Sequence, residues 1–324
     1  MNVDSSSRRM DELPFDIIIN IFSRIPVKSL LQLRCVSKLW CNFIDHPSLA
    51  NMHLKQAAEE PTILLLSEPT RKSNTIFQVH LVKQDCNILK ACENPIGKFD
   101  LNGCCSLESS CNGLFCFVKY ANQQSSVLLL NPLRKDHVQL ATTTSLWPCY
   151  TKYGLGFDGS TQKYKIVHVF FQELDSTCSH YNLGVEVFTM GTKSWREISK
   201  APPYPIRGKA VFAHGALHWI VHPLFAGDNL KRDLIVSFDI EKEEFNLTPH
   251  PGFQFKDCKL FHLVDLNGDL SLVDLSSNTD IEIWVLKDYD KKVWVKEYRI
   301  EIRPPIGIAD NGHAEVLDQD IAKR

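Results

Sequence analysis

Residues 13–44 carry apolar side chains at the three- and four-residue spacing of short amphipathic helices. Pro14 and Pro26 stand where helices can begin, because the first turn needs no N–H from proline and its fixed φ suits that turn. The pattern predicts two or three short helices, then a connecting helix through HPSLANMHLKQAAEEP that ends at Pro61. The two apolar series are Ile17, Ile18, Ile21, Phe22 and Ile25, followed by Leu30, Leu31, Val36, Trp40 and Phe43.

This helical unit has more apolar side chains than it can bury alone. A unit of roughly 40 residues lies near the limit below which a chain rarely folds without a disulfide, a metal or a second chain. Ile17, Ile18 and Ile21 form a stripe too wide for a small bundle to cover. We therefore expect some of these side chains to stay exposed until another surface covers them.

From Thr62 onward the pattern changes to short β-prone runs separated by turn residues, among them ILLL, GLFCFVKY, YKIVHVFF, LIVSFDI and IEIWVL. Large aromatic residues follow three of the strand-and-turn units, and Trp195, Phe245 and Trp294 lie 50 and 49 residues apart. A turn dipeptide also precedes several strands, at Asn112-Gly113, His214-Gly215, Asn267-Gly268 and Asn311-Gly312.

A period near 50 residues is typical of kelch-like blades. A four-stranded blade cannot bury both of its faces alone, so blades pack radially against one another. The sequence therefore predicts a small helical bundle followed by an all-β, propeller-like domain of the kelch type. A two-sheet sandwich is the alternative, and the period favours the propeller.

Both parts resemble known families. Leu13-Pro14, the run IPVKSL and the run RCVSKLW resemble the F-box, the adaptor-binding module of substrate receptors in cullin-RING ubiquitin ligases. The β region is similar to the F-box-associated domain of a large plant family, through SCNGLFCF, LLLNPLRKD, YGLGFDGSTQKYKIV, GALHWIV, VSFDIEKEEF and IEIWVLKDY. The resemblance implies an F-box at residues 11–56, an F-box-associated β-propeller-like domain at 61–317 and a tail at 318–324.

The resemblance implies a substrate-recognition subunit of an SCF-type ligase, whose F-box binds a Skp-type adaptor and whose β domain recruits an unknown target protein for degradation. It implies no catalytic residue and no cofactor. The carried-over adaptor contacts are Leu13, Pro14, Ile17, Ile21, Leu30, Val36 and Trp40. The alternative is that some of them, Leu13 and Pro14 least of all, only fill the core of the three-helix bundle. The basic residues Lys28, Arg34 and Lys38 are either a solvated helix face or a complement to an acidic adaptor.

Target binding is expected at loops of the β domain, because propellers present variable loops at their faces. Trp147, Tyr150 and Phe225 are the candidate aromatic anchors. Two other classes of function stay open. One is an F-box scaffold or decoy acting outside a ligase, and the other is a propeller enzyme or lectin-like binder with a fortuitous helical start.

Charge and composition further limit the kinds of partner that the chain can bind. The 324 residues include 36 basic and 38 acidic side chains, for a net charge of -2, so no overall field favours nucleic acid or an anionic membrane. The polar amino terminus lacks a secretory signal, and no apolar run is long enough to span a membrane. We expect a soluble protein of the cytoplasm, the nucleus or both, with its 11 cysteines reduced.

Three groups of residues suggest metal sites, but their spacing fits each metal poorly. Asp265, Asn267 and Asp269 lack the glycine and glutamate positions of a calcium loop. The cysteine-rich stretch from His80 to Cys116 has no Cys-x2-Cys pair for zinc. His214, His218 and His222 recur every four residues but lie in a β-prone run. We predict no metal site.

The carboxyl end departs from the family pattern. The family usually continues with further strands after the segment IGIADNGHAEVL, whereas this chain ends in DQDIAKR. We therefore expect an incomplete last blade that leaves the strand near Ile63–Leu66 without a carboxyl-terminal partner strand and exposes its edge. An incomplete ring makes the decoy alternative more credible.

Overall fold

The computed structural model describes two compact units, residues 1–62 and 63–324. The described residues are 13–59, 63–67, 76–85, 88–91, 97–100, 105–121, 124–141, 150–176, 180–222, 235–251, 260–266, 268–277, 279–301 and 321–323.

The first unit consists of four helices, α1 (Phe15–Ser23), α2 (Val27–Leu33), α3 (Lys38–Ile44) and α4 (Pro47–Glu59). Pro14 and Pro26 directly precede α1 and α2, as the sequence predicts. Ser37 caps α3, since its side-chain oxygen accepts a hydrogen bond of 3.1 Å from the backbone N–H of Trp40. The predicted connecting helix is α4.

Buried aliphatic and aromatic side chains hold these helices together. Ile18, Ile19 and Phe22 form the inner face of α1, and Leu30 and Leu49 meet them from α2 and α4. The apolar residues packed around this core are Ile25, Trp40, Phe43, Ile44 and Met52. The core is small, because among the side chains that the structure describes in this unit it contains five buried ones.

The second unit is built of β-strands. They are β1 (Ile63–Ser67), β2 (Ile76–Asp85), β3 (Ile88–Ala91), β4 (Gly97–Asp100), β5 (Cys105–Cys111), β6 (Leu114–Ala121), β7 (Gln124–Asn131), β8 (Asp136–Ala141), β9 (Lys152–Asp158), β10 (Lys163–Leu174), β11 (Tyr181–Thr189), β12 (Arg196–Ile198), β13 (Ile206–Ala213), β14 (Ala216–Val221), β15 (Ile235–Asp239), β16 (Glu244–Thr248), β17 (Phe261–Leu266), β18 (Asp269–Asp274), β19 (Asp280–Asp288), β20 (Val293–Glu301) and β21 (Ile321–Lys323).

Consecutive strands pair antiparallel in groups of four, which are β5–β8, β9–β12, β13–β16 and β17–β20. Strands β1 to β4 form a further sheet, in which both β3 and β4 pair with β2. The first strands of two groups also pair in parallel, where Ala210 on β13 lies opposite Ser109 on β5. The strand-rich unit thus consists of several sheets in a propeller-like arrangement.

Each middle sheet is buried on both faces. On β10, Ile166 packs with residues of β5–β8, whereas its neighbour Val167 packs with residues of β13–β16. Gly154 on β9 permits this close contact, because a Cβ there would lie 2.6 Å from the ring of Trp219. A further cluster joins β13–β16 to β17–β20 through side chains such as Trp284.

The 50-residue period corresponds to one sheet. Phe245 lies on β16, Trp294 lies on β20 and Trp195 directly precedes β12, so the three lie on or next to the fourth strands of successive sheets. The predicted tight turns at Asn112-Gly113 and His214-Gly215 also form, with positive φ at both residues of each. Asn267 and Asn311-Gly312 lie outside the described residues.

One five-residue turn, opened by Asn or Asp, recurs between strands and was not predicted. Its first side chain accepts backbone N–H groups inside the turn, and its fifth residue has a positive φ near 55°. The four copies are Asn131–Lys135, Asp158–Gln162, Asp239–Glu243 and Asp288–Lys292.

Buried charges connect the sheets β9–β12 and β13–β16. The Lys165 ammonium lies 2.9 Å from a carboxylate oxygen of Asp158 and 3.0 Å from one of Glu243, and it donates to the carbonyl of Ile240 at 2.9 Å. Glu243 also accepts from Arg196 at 2.6 Å. This charge network joins two motifs of the family resemblance, YGLGFDGSTQKYKIV and VSFDIEKEEF.

The expectation of an unpaired strand near Ile63–Leu66 is wrong. Strand β21, at the carboxyl end, pairs antiparallel with β1, with Ile63 opposite Lys323 and Leu65 opposite Ile321. A three-residue strand is too short to show an alternating pattern, so the sequence DQDIAKR reads as a charged tail. The reason for favouring a decoy therefore disappears.

Candidate functional site

One side of α1 presents apolar side chains to solvent. Ile17 and Ile21 are one turn apart and 47% and 40% exposed, and Leu13 and Pro14 are exposed just before the helix. We call Leu13, Pro14, Ile17 and Ile21 the α1 row. Ile18 and Phe22, on the other side of the helix, are buried. The helix is therefore apolar on both sides, as the width of the stripe predicted.

Further apolar side chains are exposed elsewhere in this unit. Val36 and Leu39 lie around the start of α3 and are exposed. Phe15 is also exposed, and its ring packs against His46 and Phe43 with centroids 4.7 Å and 5.8 Å apart. Leu39 and Phe15 are not among the predicted adaptor contacts, although Phe15 directly follows the Leu13-Pro14 motif.

Two predicted contact residues lie in the core of the bundle or pack against it. Leu30 is only 4% exposed and belongs to the core. Trp40 is half-buried, with its ring centroid 5.3 Å from that of Phe22. Their apolar character and helical spacing are shared by core and surface positions, so the sequence could not separate the two roles.

An ion pair engages one of the three basic residues. Arg34 donates two hydrogen bonds to the carboxylate of Asp45, at 2.8 Å and 2.6 Å, and so links the end of α2 to the end of α3. This hydrogen bonding raises the pKa of Arg34 above its ordinary value. Lys38 is exposed, and the side chain of Lys28 lies outside the described residues.

Of the three candidate target anchors, Tyr150 is the one that the structure describes. Tyr150 is half-buried, and its ring packs edge-on against Phe171 at 5.7 Å and His222 at 5.8 Å. Trp147 and Phe225 lie outside the described residues. Tyr150 is thus part of an aromatic cluster rather than a freely exposed anchor.

Models of two known domain families match the two parts of this chain. The F-box domain model matches residues 10–51, which contain the α1 row, and the model described as F-box associated beta propeller domain matches residues 62–310. The chain belongs to the F-box-associated propeller family.

Relatives of this F-box protein match over most of its length. An F-box protein of Arabidopsis thaliana is 29% identical, over 93% of this chain and 76% of the relative. F-box protein CPR1 of the same plant is 26% identical, over 90% of this chain and 74% of the relative. Among solved structures, TolB from Acinetobacter baumannii has a TM-score of 0.41 and 10% identity, over 72% of this chain and 51% of that one.

The three regularly spaced histidines of the F-box protein do not converge. His218 is buried on β14, whereas His214 lies in the preceding turn, within 3.7 Å of Asp269, and His222 lies beyond the strand beside Tyr150. In the part of the chain that the structure describes, no cluster of side chains could hold a metal ion. Nor is any helix of these residues both long and apolar enough to cross a bilayer.

The calcium-like segment forms a hairpin turn. Asp265 accepts a 2.7 Å hydrogen bond from the backbone N–H of Gly268. Asp269 lies 3.8 Å from the ammonium of Lys287, so its carboxylate faces a protein cation.

The neutral imidazole of His218, on β14, forms hydrogen bonds with residues of the two neighbouring strands. Its Nε2 lies 3.2 Å from the carbonyl oxygen of Ala213, which can only accept, so Nε2 carries the proton. Its Nδ1 then accepts from the Ser237 hydroxyl at 2.8 Å, and that oxygen accepts from Thr248 at 2.7 Å. Burial lowers the pKa of His218 to about 3.

We expect this histidine to make the domain less stable in acid. Its ordinary pKa is 6.5, so below that pH the unfolded chain binds a proton that the folded chain does not. Between pH 6.5 and pH 4.5 the free energy of unfolding should fall by about 2 kcal/mol from this residue alone. Urea unfolding at both pH values should show a smaller fall for His218→Gln than for the wild type. A control, His137→Gln at an exposed position, should keep the wild-type fall, and an equal fall in all three proteins would contradict the assignment.

Proposed function

We propose that this F-box protein is the substrate-recognition subunit of an SCF-type cullin-RING ubiquitin ligase. The observation that carries the proposal is the α1 row, which stays exposed within a unit that matches the F-box domain. A Skp-type adaptor is the partner implied by that domain. Val36, exposed at the start of α3, extends the proposed contact surface.

Burial of the α1 row supplies the driving force for docking. Fully burying an exposed aliphatic side chain is worth about 1.5–3 kcal/mol. Leu13, Ile17 and Ile21 are each 40% to 47% exposed, so an adaptor has part of that energy still to gain from every one of them. The small core leaves the helical unit only marginally stable, and a bound adaptor stabilises it by mass action.

The β domain then recruits a target protein, and no catalytic residue is needed in this chain. Holding a target lysine close to a ubiquitin-charged conjugating enzyme raises the effective concentration of the two reactants. The receptor itself forms and breaks no bond. We place this activity in the cytoplasm, the nucleus or both.

Co-expression of the full chain with a Skp-type adaptor and a cullin tests the proposal. We expect the three proteins to co-purify in a single complex, and the chain without adaptor to be less soluble because the α1 row is uncovered. Adaptor without cullin in the complex would contradict the ligase role. A soluble, monomeric chain that ignores the adaptor would contradict the proposal as a whole.

A further inference from the structure

Strand β20 has an exposed apolar stripe along the edge of its sheet. In the described residues β20 pairs only with β19, so the backbone groups on its other side have no strand partner. Four of its side chains are exposed by 43% to 50%, and we call them the β20 stripe: Val293, Val295, Tyr298 and Ile300.

A bulge places the β20 stripe on one face of the sheet. Val295 lies opposite Val285, and Tyr298 lies opposite Ile283, although two residues, Lys296 and Glu297, lie between Val295 and Tyr298. An irregularity between these pairs adds one residue to β20, so both side chains point the same way. Val293 and Ile300 lie on the same face, because side chains alternate between the two faces of a strand and these residues are two positions from Val295 and Tyr298. Trp284 and Leu286, on the opposite face, pack against β13–β16.

The three charged side chains of β20 that the structure describes are already paired within their own sheet. Lys296 lies 2.9 Å from Glu282, Glu297 lies 2.6 Å from Lys287, and Arg299 lies 2.9 Å from Asp280. The strand therefore offers apolar side chains and backbone groups rather than an unbalanced charge. Of the other fourth strands, β8 has one large exposed apolar residue, Val138, among its described side chains, and β12 and β16 have none.

We propose that β20 pairs antiparallel with β20 of a second copy of this chain, which would join two sheets across a two-fold axis. The sequence of the strand is complementary to itself about an axis between Lys296 and Glu297. In that register Val295 lies opposite Tyr298 of the other copy, Val293 opposite Ile300, and Lys296 opposite Glu297.

Neighbouring registers are poorer. With the axis moved half a residue toward the carboxyl end, Val295 faces Arg299, and with the axis moved the other way it faces Glu297. Moving the axis by one full residue toward the carboxyl end brings Lys296 opposite Arg299, which are like charges. Only the central register keeps apolar residues opposite apolar residues and opposite charges together. This self-complementarity favours a second copy over an unrelated extended peptide as the occupant.

A concentration series tests the dimer with the full chain. Sedimentation equilibrium up to about 100 μM should show a reversible monomer–dimer equilibrium, because an edge-to-edge contact is small and therefore weak. Val295→Lys and Tyr298→Lys should each raise the dissociation constant at least about tenfold. Val138→Lys adds the same charge at a 49% exposed valine on β8 and should leave the constant unchanged.

Charge reversal tests the register. Lys296→Glu and Glu297→Lys should each weaken the dimer, since like charges then face each other across the axis. The double variant restores opposite charges and should dimerise more tightly than either single variant. A wild type that is monomeric throughout, or that self-associates equally with and without Val295→Lys, overturns the proposal. A double variant no tighter than the singles overturns the register.

Discussion

Replacing Ile21 with aspartate should lower the affinity for a Skp-type adaptor at least about 100-fold. The side chain is 40% exposed on the α1 row, so the free protein accepts a carboxylate there at little cost. In the complex the same carboxylate would be buried at an apolar contact, which costs several kcal/mol unless it is paired. Isothermal titration of the purified full-length protein with adaptor measures the loss.

Two further variants make this result specific. Val138→Asp adds the same charge at a similarly exposed aliphatic residue of the β domain and should leave adaptor affinity unchanged. Leu13→Ala combined with Pro14→Ala removes apolar surface without adding charge, so it should weaken binding as well. Unchanged affinity of Ile21→Asp, with a wild-type circular dichroism spectrum, would remove the α1 row from the adaptor contact.

The helices and the excess of apolar surface in the F-box unit could be predicted from the sequence. Pro14, Pro26 and Ser37 each act locally on the helix that follows, so their effect is readable without tertiary information. Which apolar residue faces inward depends on how three or four helices pack. The resemblance names Leu30 as an adaptor contact, and in the structure its side chain belongs to the core.

In the β domain, the strands were predictable because apolar and polar residues alternate along them. The 50-residue period was predictable because a large aromatic residue recurs at the corresponding place in successive sheets. The parallel contact of β13 with β5 was not, since it joins residues about 100 positions apart with no local signal. The pairing of β21 with β1 was not predicted for the same reason, because it joins the two ends of the domain. Family motifs such as YGLGFDGSTQKYKIV were visible as strings, but only the structure shows why they contain Gly154, Asp158 and Lys165.

Lys165→Met should cost the β domain about 3–5 kcal/mol of stability, the range seen when one partner of a buried ion pair is removed. Lys165 neutralises Asp158 and Glu243, both of which would lose a cation at about 3 Å. Burial raises the pKa of Asp158, whereas hydrogen bonds from Ser160, Lys165 and Thr161 lower it overall. The variant loses the bond from Lys165 and keeps those from Ser160 and Thr161. Glu243 keeps Arg196, and most of the loss therefore falls on Asp158.

Equilibrium unfolding in urea at pH 7 measures this loss, and Lys200→Met is the matched control. Lys200 pairs with Glu244 at 2.5 Å, but both side chains are largely exposed, so removing the pair should cost less than about 1 kcal/mol. Adding Asp158→Asn to Lys165→Met removes the orphaned charge and should recover part of the stability, because the remaining amide needs only hydrogen bonds. Equal losses for Lys165→Met and Lys200→Met would mean that the charge network is solvated and does not hold the two sheets together.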